Sequence, residues 1–392
     1  MHALSRPLLI VALIALLGAC GATPPAAAPA ESQPAASAPT AAAATDAPAP
    51  TDAPAASATP EPTATEVPTA TPEPTATPVP AEPGTSRSAP LPLGTEIRFT
   101  DWAVTIMGVT RGGEASAAII GANQFNDPAP EGWQYILATL KLTNISADQD
   151  AKSVLFGVDL RATGARNILY SRTSVVVPQP LEGEIFPEGA AEGQIAFLVP
   201  ADETNLMFFV AESFSFDVDA RRFVAIDDAA AVSPDPTLDS VAPTDAGTKR
   251  SDPAPLGTTT VSAAWEITVF EVVRGADAAQ RITEANQFND PAPEGQEYIL
   301  ARVQARSLGD GDPDAAANID QIAFKVTGAA NVIYDRPSVV TPDPQLGSYL
   351  FPGGQAEGWV VLQAPVGEAG LALVYAPIFE FSDANVRFLS LE

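Results

Sequence analysis

One eleven-residue block occurs twice in this chain, and the duplication limits the folds that the chain can adopt. Ala-Asn-Gln-Phe-Asn-Asp-Pro-Ala-Pro-Glu-Gly stands at Ala122–Gly132 and again at Ala285–Gly295. Further matches lie at the same offset outside the block, for example Trp102 and Trp265. Because the likeness extends on both sides of the block, we predict that one domain occurs twice.

Two segments without any aromatic residue set the boundaries of the copies. Residues 20–90 are almost entirely Ala, Pro, Thr and Ser with scattered acids. Such a composition cannot bury enough apolar surface to offset its ordering entropy, so we predict a disordered, lipid-anchored stalk. Residues 228–255 are similar and are predicted to be a linker. The two domains are then placed at 91–227 and 256–392.

The N-terminus has the pattern of a bacterial export signal. Arg6 precedes an unbroken apolar run, Leu8–Leu17, of ten residues, which is too short to span a bilayer. The run ends in Leu17-Gly18-Ala19-Cys20, which resembles the lipobox of bacterial lipoproteins. We therefore predict a signal peptide at 1–19 and a lipid anchor at Cys20, rather than an ordinary signal peptide with a chance cysteine. The protein would be extracytoplasmic and held to the cell membrane by acyl chains.

Composition excludes several classes of function. The chain has 48 Asp and Glu against 20 Lys and Arg, a formal net charge of −28. This acidity disfavours nucleic acid as a partner, and it requires the acyl chains, not a basic patch, to bind the membrane. The single histidine, His2, lies in the signal peptide and the single cysteine is Cys20. No Ser–His or Cys–His nucleophile pair and no zinc site with nitrogen or sulfur ligands can form in the mature chain. We expect neither catalysis nor a cofactor.

Apolar residues alternate with a period of two in both copies, which predicts strands. The inward positions after the duplicated block are Ile136, Ala138, Leu140 and Leu142 in the first copy, and Ile299, Ala301, Val303 and Ala305 in the second. Turn residues separate the strands, and one tryptophan precedes each set. We predict an all-β chain of two tandem antiparallel β-sandwiches. Any helix is expected to be a single turn, for example around residues 115–121.

Both copies resemble a bacterial family of immunoglobulin-like domains of unknown function, found in secreted proteins and lipoproteins. The first element of the resemblance is the Asn-x-Phe-Asn-x-Pro-x-Pro-x-Gly stretch at Asn123–Gly132 and Asn286–Gly295. The second is Phe351-Pro352-Gly353-Gly354, which departs to Phe186-Pro187-Glu188-Gly189 in the first copy. The resemblance implies immunoglobulin-like sandwiches and implies no activity.

The duplicated loop has two interpretations. Its oxygen-bearing residues, a candidate ligand set, are Asn123, Asp127, Glu131, Asn286, Asp290 and Glu294. A calcium site needs such oxygens, but calcium loops carry more acids at alternate positions. A rigid turn explains the same residues, because Asn and Asp bond their own backbone and Pro and Gly set the dihedral angles. We favour the turn, with Phe125 and Phe288 filling the edge of each core.

Three functions are compatible with these features. We favour a surface-displayed binding or structural module without catalytic activity, whose partner is an extracellular protein or glycan. An accessory subunit of an envelope or transport complex is the first alternative. A carboxylate-dependent glycosidase is the second, and it is disfavoured because two small sandwiches offer little room for a deep cleft.

Overall fold

The computed structural model describes residues 82–213, 220–377 and 383–392. The predicted signal peptide, Cys20 and the predicted stalk up to residue 81 lie outside the described residues.

Eleven elements build the first domain. They are β1 (Glu96–Arg98), β2 (Trp102–Arg111), α1 (Gly112–Ala122), β3 (Trp133–Asn144), β4 (Lys152–Ser153), β5 (Val158–Thr163), β6 (Ile168–Leu169), β7 (Glu184–Ile185), β8 (Ala190–Pro200), β9 (Met207–Glu212) and β10 (Arg222–Ala225). One sheet has the strand order β1-β2-β3-β8 and the other β10-β9-β5, while β4 pairs with β7.

The second domain repeats this order. Its elements are β11 (Thr260–Val261), β12 (Trp265–Arg274), α2 (Gly275–Ala285), β13 (Gln296–Ser307), β14 (Ala317–Asp320), β15 (Phe324–Thr327), β16 (Ile333–Tyr334), β17 (Gly347–Leu350), β18 (Gln355–Pro365), β19 (Ala372–Tyr375) and β20 (Arg387–Ser390). Sheet β11-β12-β13-β18 faces sheet β16-β15-β19-β20. A third sheet, β14-β17-β6, takes its strands from both domains.

The expected all-β, antiparallel double sandwich is confirmed. The alternating residues of β3 and β13 point into the two cores, where all eight inward positions are fully buried. Trp102 and Trp265 join the same cores, with exposed fractions of 3 % and 5 %. The strands named above pair antiparallel throughout the described residues, as between β2 and β3 and between β12 and β13. The alternation in the sequence therefore arises because successive side chains of a strand point to opposite faces of the sheet.

The expectation that any helix would be a single turn is wrong. Both α1 and α2 have eleven residues. Each begins at a glycine with a left-handed backbone, Gly112 (φ 63°) and Gly275 (φ 61°), which turns the chain out of the preceding strand. Ala115 and Ile119 of α1 then cover Tyr135 and Leu137 on the outer face of β3. Strand β3 is thus buried on both faces, because α1 covers apolar side chains that a sandwich without the helix would leave exposed to water.

The described residues from 82 onward belong to one compact unit, and an arginine lies at the junction of its two domains. Arg87 is 2 % exposed. Its Nε donates to Asp314 Oδ1 (3.0 Å), its Nη2 to the Pro313 carbonyl (2.8 Å) and its Nη1 to Asn167 Oδ1 (2.5 Å). The guanidinium also lies 4.0 Å from the ring centroid of Phe351. Burial lowers the pKa of Arg87, and the hydrogen bond to Asp314 opposes that shift.

The segment 228–255, predicted as a linker, hydrogen-bonds along its length. Val232 N–H donates to the Arg87 carbonyl (2.9 Å), and Thr244 N–H donates to the Val261 carbonyl (3.0 Å). Ala254 N–H donates to the Phe388 carbonyl (2.9 Å). The segment therefore contacts both domains. These bonds use backbone groups, so they require no aromatic or other large side chain in the segment. The domain boundaries drawn from the sequence remain predictions.

Candidate functional site

The duplicated loop is closed by its second asparagine in both copies. Asn126 Nδ2 donates to the carbonyls of Ile119 and Val176, both at 2.7 Å, and Asn126 Oδ1 accepts from Val176 N–H at 3.0 Å. Asn289 makes the same three bonds to Ile282 and Val340, at 2.8, 2.9 and 2.8 Å. One amide thus satisfies a carbonyl at the end of the helix and holds a distant segment against it.

The first asparagine and a tyrosine fix the rest of the loop. Asn123 Oδ1 accepts from Phe125 N–H at 3.0 Å, which is an Asx turn, and Asn286 does the same with Phe288. Tyr135 Oη donates to the Asp127 backbone carbonyl at 2.9 Å. Burial, with the charge of Asp127 as a smaller cause, raises the pKa of Tyr135. Turn chemistry therefore accounts for the asparagines and for the backbone of Asp127.

The four loop carboxylates, Asp127, Glu131, Asp290 and Glu294, point into solvent. Within the described residues their side chains make no hydrogen bond or ion pair, and no group of three or more acidic, histidine or cysteine side chains there could hold a metal ion. The loop geometry matches the turn interpretation, in which these carboxylates have no structural partner. Their role as ligand residues stays a prediction.

The prediction that Phe125 and Phe288 fill the core edges is wrong. Both side chains are 83 % exposed. The space beneath the first loop is already occupied by Ile119, Tyr135 and Val177, which form one buried cluster. The Asx turn directs the phenylalanine away from that cluster. Only a single helical turn was expected from the sequence here, so the space that the full-length α1 fills was assigned to the phenylalanine.

A cleft of about 680 Å³ lies where the two domains meet, and sequence reasoning did not find it. The sheet β14-β17-β6 carries part of its wall. Asn318 of β14 and Leu169 of β6 are both cross-strand partners of Tyr349 on β17, so the three side chains share one face. All three line the cleft, as does Trp133, the first residue of β3.

The two aromatic side chains of the cleft are partly exposed, Trp133 by 41 % and Tyr349 by 39 %. The guanidinium of Arg161 lies 4.2 Å from the Tyr349 ring centroid and so stacks on that ring. A sequence signal for this site existed. Trp133 follows Gly132 immediately, whereas Gln296 follows the matching Gly295, so the two copies differ at the first residue after the duplicated block.

The polar lining of the cleft divides into engaged and unengaged groups. Glu357 Oε1 accepts from Arg302 Nε at 2.9 Å, and Asp320 Oδ1 accepts from Ile322 N–H at 3.0 Å. In contrast, the side chains of Asn318, Ser348 and Gln355 make no hydrogen bond within the described residues. The cleft therefore offers amide and hydroxyl groups that are available to a ligand.

A second hollow, of about 510 Å³, lies within the first domain between β5 and the segment that covers β8. Its wall is mostly aliphatic, and Leu155 and Phe156 stand exposed at its rim by 46 % and 59 %. It contains no contribution from the second domain. Among the described residues, no helix is long and apolar enough to cross a membrane.

No family model matches the sequence, and no curated protein matches it. Solved structures with some likeness include yjhA from Bacillus subtilis, with 12 % identity and a TM-score of 0.25 over 35 % of this chain and 99 % of that one. An uncharacterised β-sandwich protein of Clostridium difficile 630 has 13 % identity and a TM-score of 0.24, over 38 % and 100 % of the two chains.

The candidate lipoprotein ycdA of Bacillus subtilis subsp. subtilis str. 168 is also similar, with 11 % identity, a TM-score of 0.26 and coverage of 54 % and 73 %. These TM-scores are too low to support an argument. The assignment of this chain to tandem β-sandwiches rests on its own strands and cores.

Proposed function

We propose that the chain is a lipid-anchored, extracytoplasmic binding module that performs no catalysis. One observation carries the proposal: the two domains together enclose a cleft of about 680 Å³ with exposed aromatic rings and unengaged polar groups. Ligand sites are typically concave, of this size, and placed between domains. The lipobox-like tetrad ending at Cys20 and the proline-rich stretch that follows it would present this cleft outside the cell membrane.

Anchoring is tested at Cys20. Cys20→Ser should abolish incorporation of labelled palmitate and move the protein from the membrane fraction to the soluble one, because no thiol remains to carry acyl chains. A mutant that keeps its label and its membrane association would contradict the anchor. The described domains need not change, so their melting temperature serves as the control.

Binding is tested by filling the cleft. A Cβ added at Gly347 would meet only Asp320 Oδ2, at 3.7 Å, so Gly347→Trp should place an indole in the cleft without displacing the backbone. Gly108→Trp is the matched control, since Gly108 lies in β2, outside the cleft, with nothing within 4 Å of the Cβ position. Wild type and both variants would be passed over immobilised envelope fractions.

We expect at least one fraction to retain wild type and Gly108→Trp but not Gly347→Trp. Equal retention of all three proteins by every fraction would contradict binding in the cleft. So would a failure of every fraction to retain the wild type.

A carboxylate-dependent glycosidase has one observation in its favour, since Asp320 and Glu357 both line the cleft. Both carboxylates already hold other groups, Ile322 N–H and Arg302. We therefore expect no release of new reducing ends from a polysaccharide incubated with the protein. Release that disappears in Glu357→Gln would establish the enzyme instead.

A further inference from the structure

We propose that the cleft between the domains binds an uncharged, hydroxyl-rich carbohydrate chain. This inference rests on the proposed binding function and adds the chemical class of the ligand. It concerns the cleft alone, not the duplicated loops.

The first argument is the charge of the lining. No lysine or arginine is among the residues that line the cleft, and the two arginines that contact its lining are already engaged, Arg161 with Tyr349 and Asp159 and Arg302 with Glu357. The acids Asp320 and Glu357 are also held by other groups. Phosphate and carboxylate ligands are recognised by Arg and Lys, which are missing from this wall. The strongly acidic chain also repels anions at longer range. A neutral ligand fits this lining better than an acidic polysaccharide does.

The second argument is the hydrogen-bonding capacity that remains. Asn318 and Gln355 each present two amide donors and one carbonyl acceptor, and Ser348 presents a hydroxyl. None of these side chains is bonded within the described residues. Sugar hydroxyls both donate and accept, so they can satisfy mixed groups of this kind. A peptide would instead need apolar recesses for its side chains, and the lining residues Leu169, Tyr170 and Leu346 are almost fully buried, so they present little apolar surface to the cleft.

The third argument is the aromatic surface. Trp133 presents a partly exposed apolar ring, and its indole N–H makes no hydrogen bond in the described structure. A ring that is both flat and partly polar matches the alternating C–H and O–H faces of a sugar. Trp133 of the first copy matches Gln296 in the second, and Tyr349 of the second copy matches Glu184 in the first. Each aromatic residue is therefore present in the copy whose surface lines the cleft and absent from the other copy.

The experiment is affinity electrophoresis of the full mature chain carrying Cys20→Ser, which removes the lipid but no described residue. The gels contain dextran, mannan, laminarin or xylan as neutral probes, and polygalacturonate as an acidic one. We expect at least one neutral polysaccharide to retard the protein and polygalacturonate not to do so.

Trp133→Ala and Gly347→Trp should weaken that retardation at least about tenfold, because an aromatic anchor is lost or the cleft is filled. Trp133→Phe should restore part of the retardation. Phe125→Ala removes a ring outside the cleft that is more exposed than Trp133, and it should leave retardation unchanged. Each variant must keep the wild-type melting temperature within a few degrees, so that unfolding is separated from lost binding.

Retardation by polygalacturonate alone, no retardation by any probe, or retardation that Trp133→Ala does not change would each overturn the carbohydrate proposal. The proposed binding function would survive the second of these if an envelope protein fraction still retained wild type but not Gly347→Trp. The two proposals can therefore fail separately.

Discussion

Matching phenylalanines in the two domains have opposite surroundings. Phe186 and Phe351 both begin the Phe-Pro-x-Gly turn, yet Phe186 is 67 % exposed and Phe351 is fully buried. The first domain covers Phe351 with Phe223, whose ring centroid is 6.0 Å away, and with the guanidinium of Arg87. The same local sequence therefore exposes an apolar ring in one copy and builds the domain junction in the other. Local sequence sets the turn, and the neighbouring domain decides what happens to its side chain.

The residues after a left-handed asparagine show the same contrast. Asn167 (φ 61°) and Asn331 (φ 63°) end equivalent turns. After Asn331, β16 pairs with β15 of its own domain. After Asn167, Tyr170 bridges Ala162 of β5 in the same way, but β6 pairs in addition with β17 of the other domain. Ile333 consequently remains 56 % exposed, while Leu169 is buried. Duplicated domains thus became unequal by placing matching surfaces in different environments.

The largest difference in stability between the two domains is expected when each of these phenylalanines is replaced by alanine. Phe351→Ala should lower the free energy of unfolding by about 3–5 kcal/mol, because it leaves a cavity in the junction. Phe186→Ala should change it by less than about 0.5 kcal/mol, because that ring already lies in water. Equilibrium unfolding in guanidinium chloride measures both values. Similar losses for the two variants would mean that the junction does not form in solution.

The duplicated loop should behave equally in both copies. Asn126→Ala and Asn289→Ala each remove three hydrogen bonds and should each cost about 1–3 kcal/mol. Asn123→Ala removes only the Asx bond to Phe125 N–H and should cost less. The same unfolding measurement applies. A smaller loss for Asn126→Ala than for Asn123→Ala would contradict the bridging role of the second asparagine.

Alkaline pH should separate two matching tyrosines. Burial and then the hydrogen bond to Glu203 raise the pKa of Tyr170 above its ordinary value, and Tyr334 near Glu368 is raised too, mainly by burial. A raised folded pKa stabilises the fold below about pH 10, and this stability is lost as pH rises through the folded pKa.

Between pH 10 and about 12, Tyr170→Phe should reduce the slope of stability against pH by up to about 1.4 kcal/mol per pH unit. Tyr334→Phe should reduce it less, because Tyr334 is only partly buried. Unfolding curves at each pH provide the slopes. Identical slopes for wild type and Tyr170→Phe would rule out ionisation of Tyr170 as a cause of alkaline unfolding.

The smallest effect is expected at the loop tips. Phe125→Ala and Phe288→Ala should each change the free energy of unfolding by less than about 0.5 kcal/mol, because both rings are 83 % exposed. Losses of several kcal/mol would restore the earlier view that these rings fill the cores.

The features that could be predicted from the sequence are those that depend on residues close together in the chain. Alternation along β3 and β13 predicted the strands, and the early tryptophans predicted core residues. Sequence reasoning failed for Arg87, which stands in a Ser- and Pro-containing stretch assigned to the stalk. Its partners Asn167 and Asp314 are 80 and 227 residues away, and nothing in their local sequence marks them as partners. The cleft depends on the same long-range junction, so only the change from Gln296 to Trp133 between copies hinted at it.

Arg87 also determines where a pull on the N-terminal side of the described residues would be felt. Residues 84–91 bond to β10 through the backbone of Phe223, and the Arg87 side chain reaches Asp314 of the second domain. Tension arriving from the N-terminal side of residue 82 is therefore shared by both domains at their seam, instead of peeling a strand from the first domain alone. The load therefore reaches the junction held by Arg87, which joins the two domains that together line the cleft.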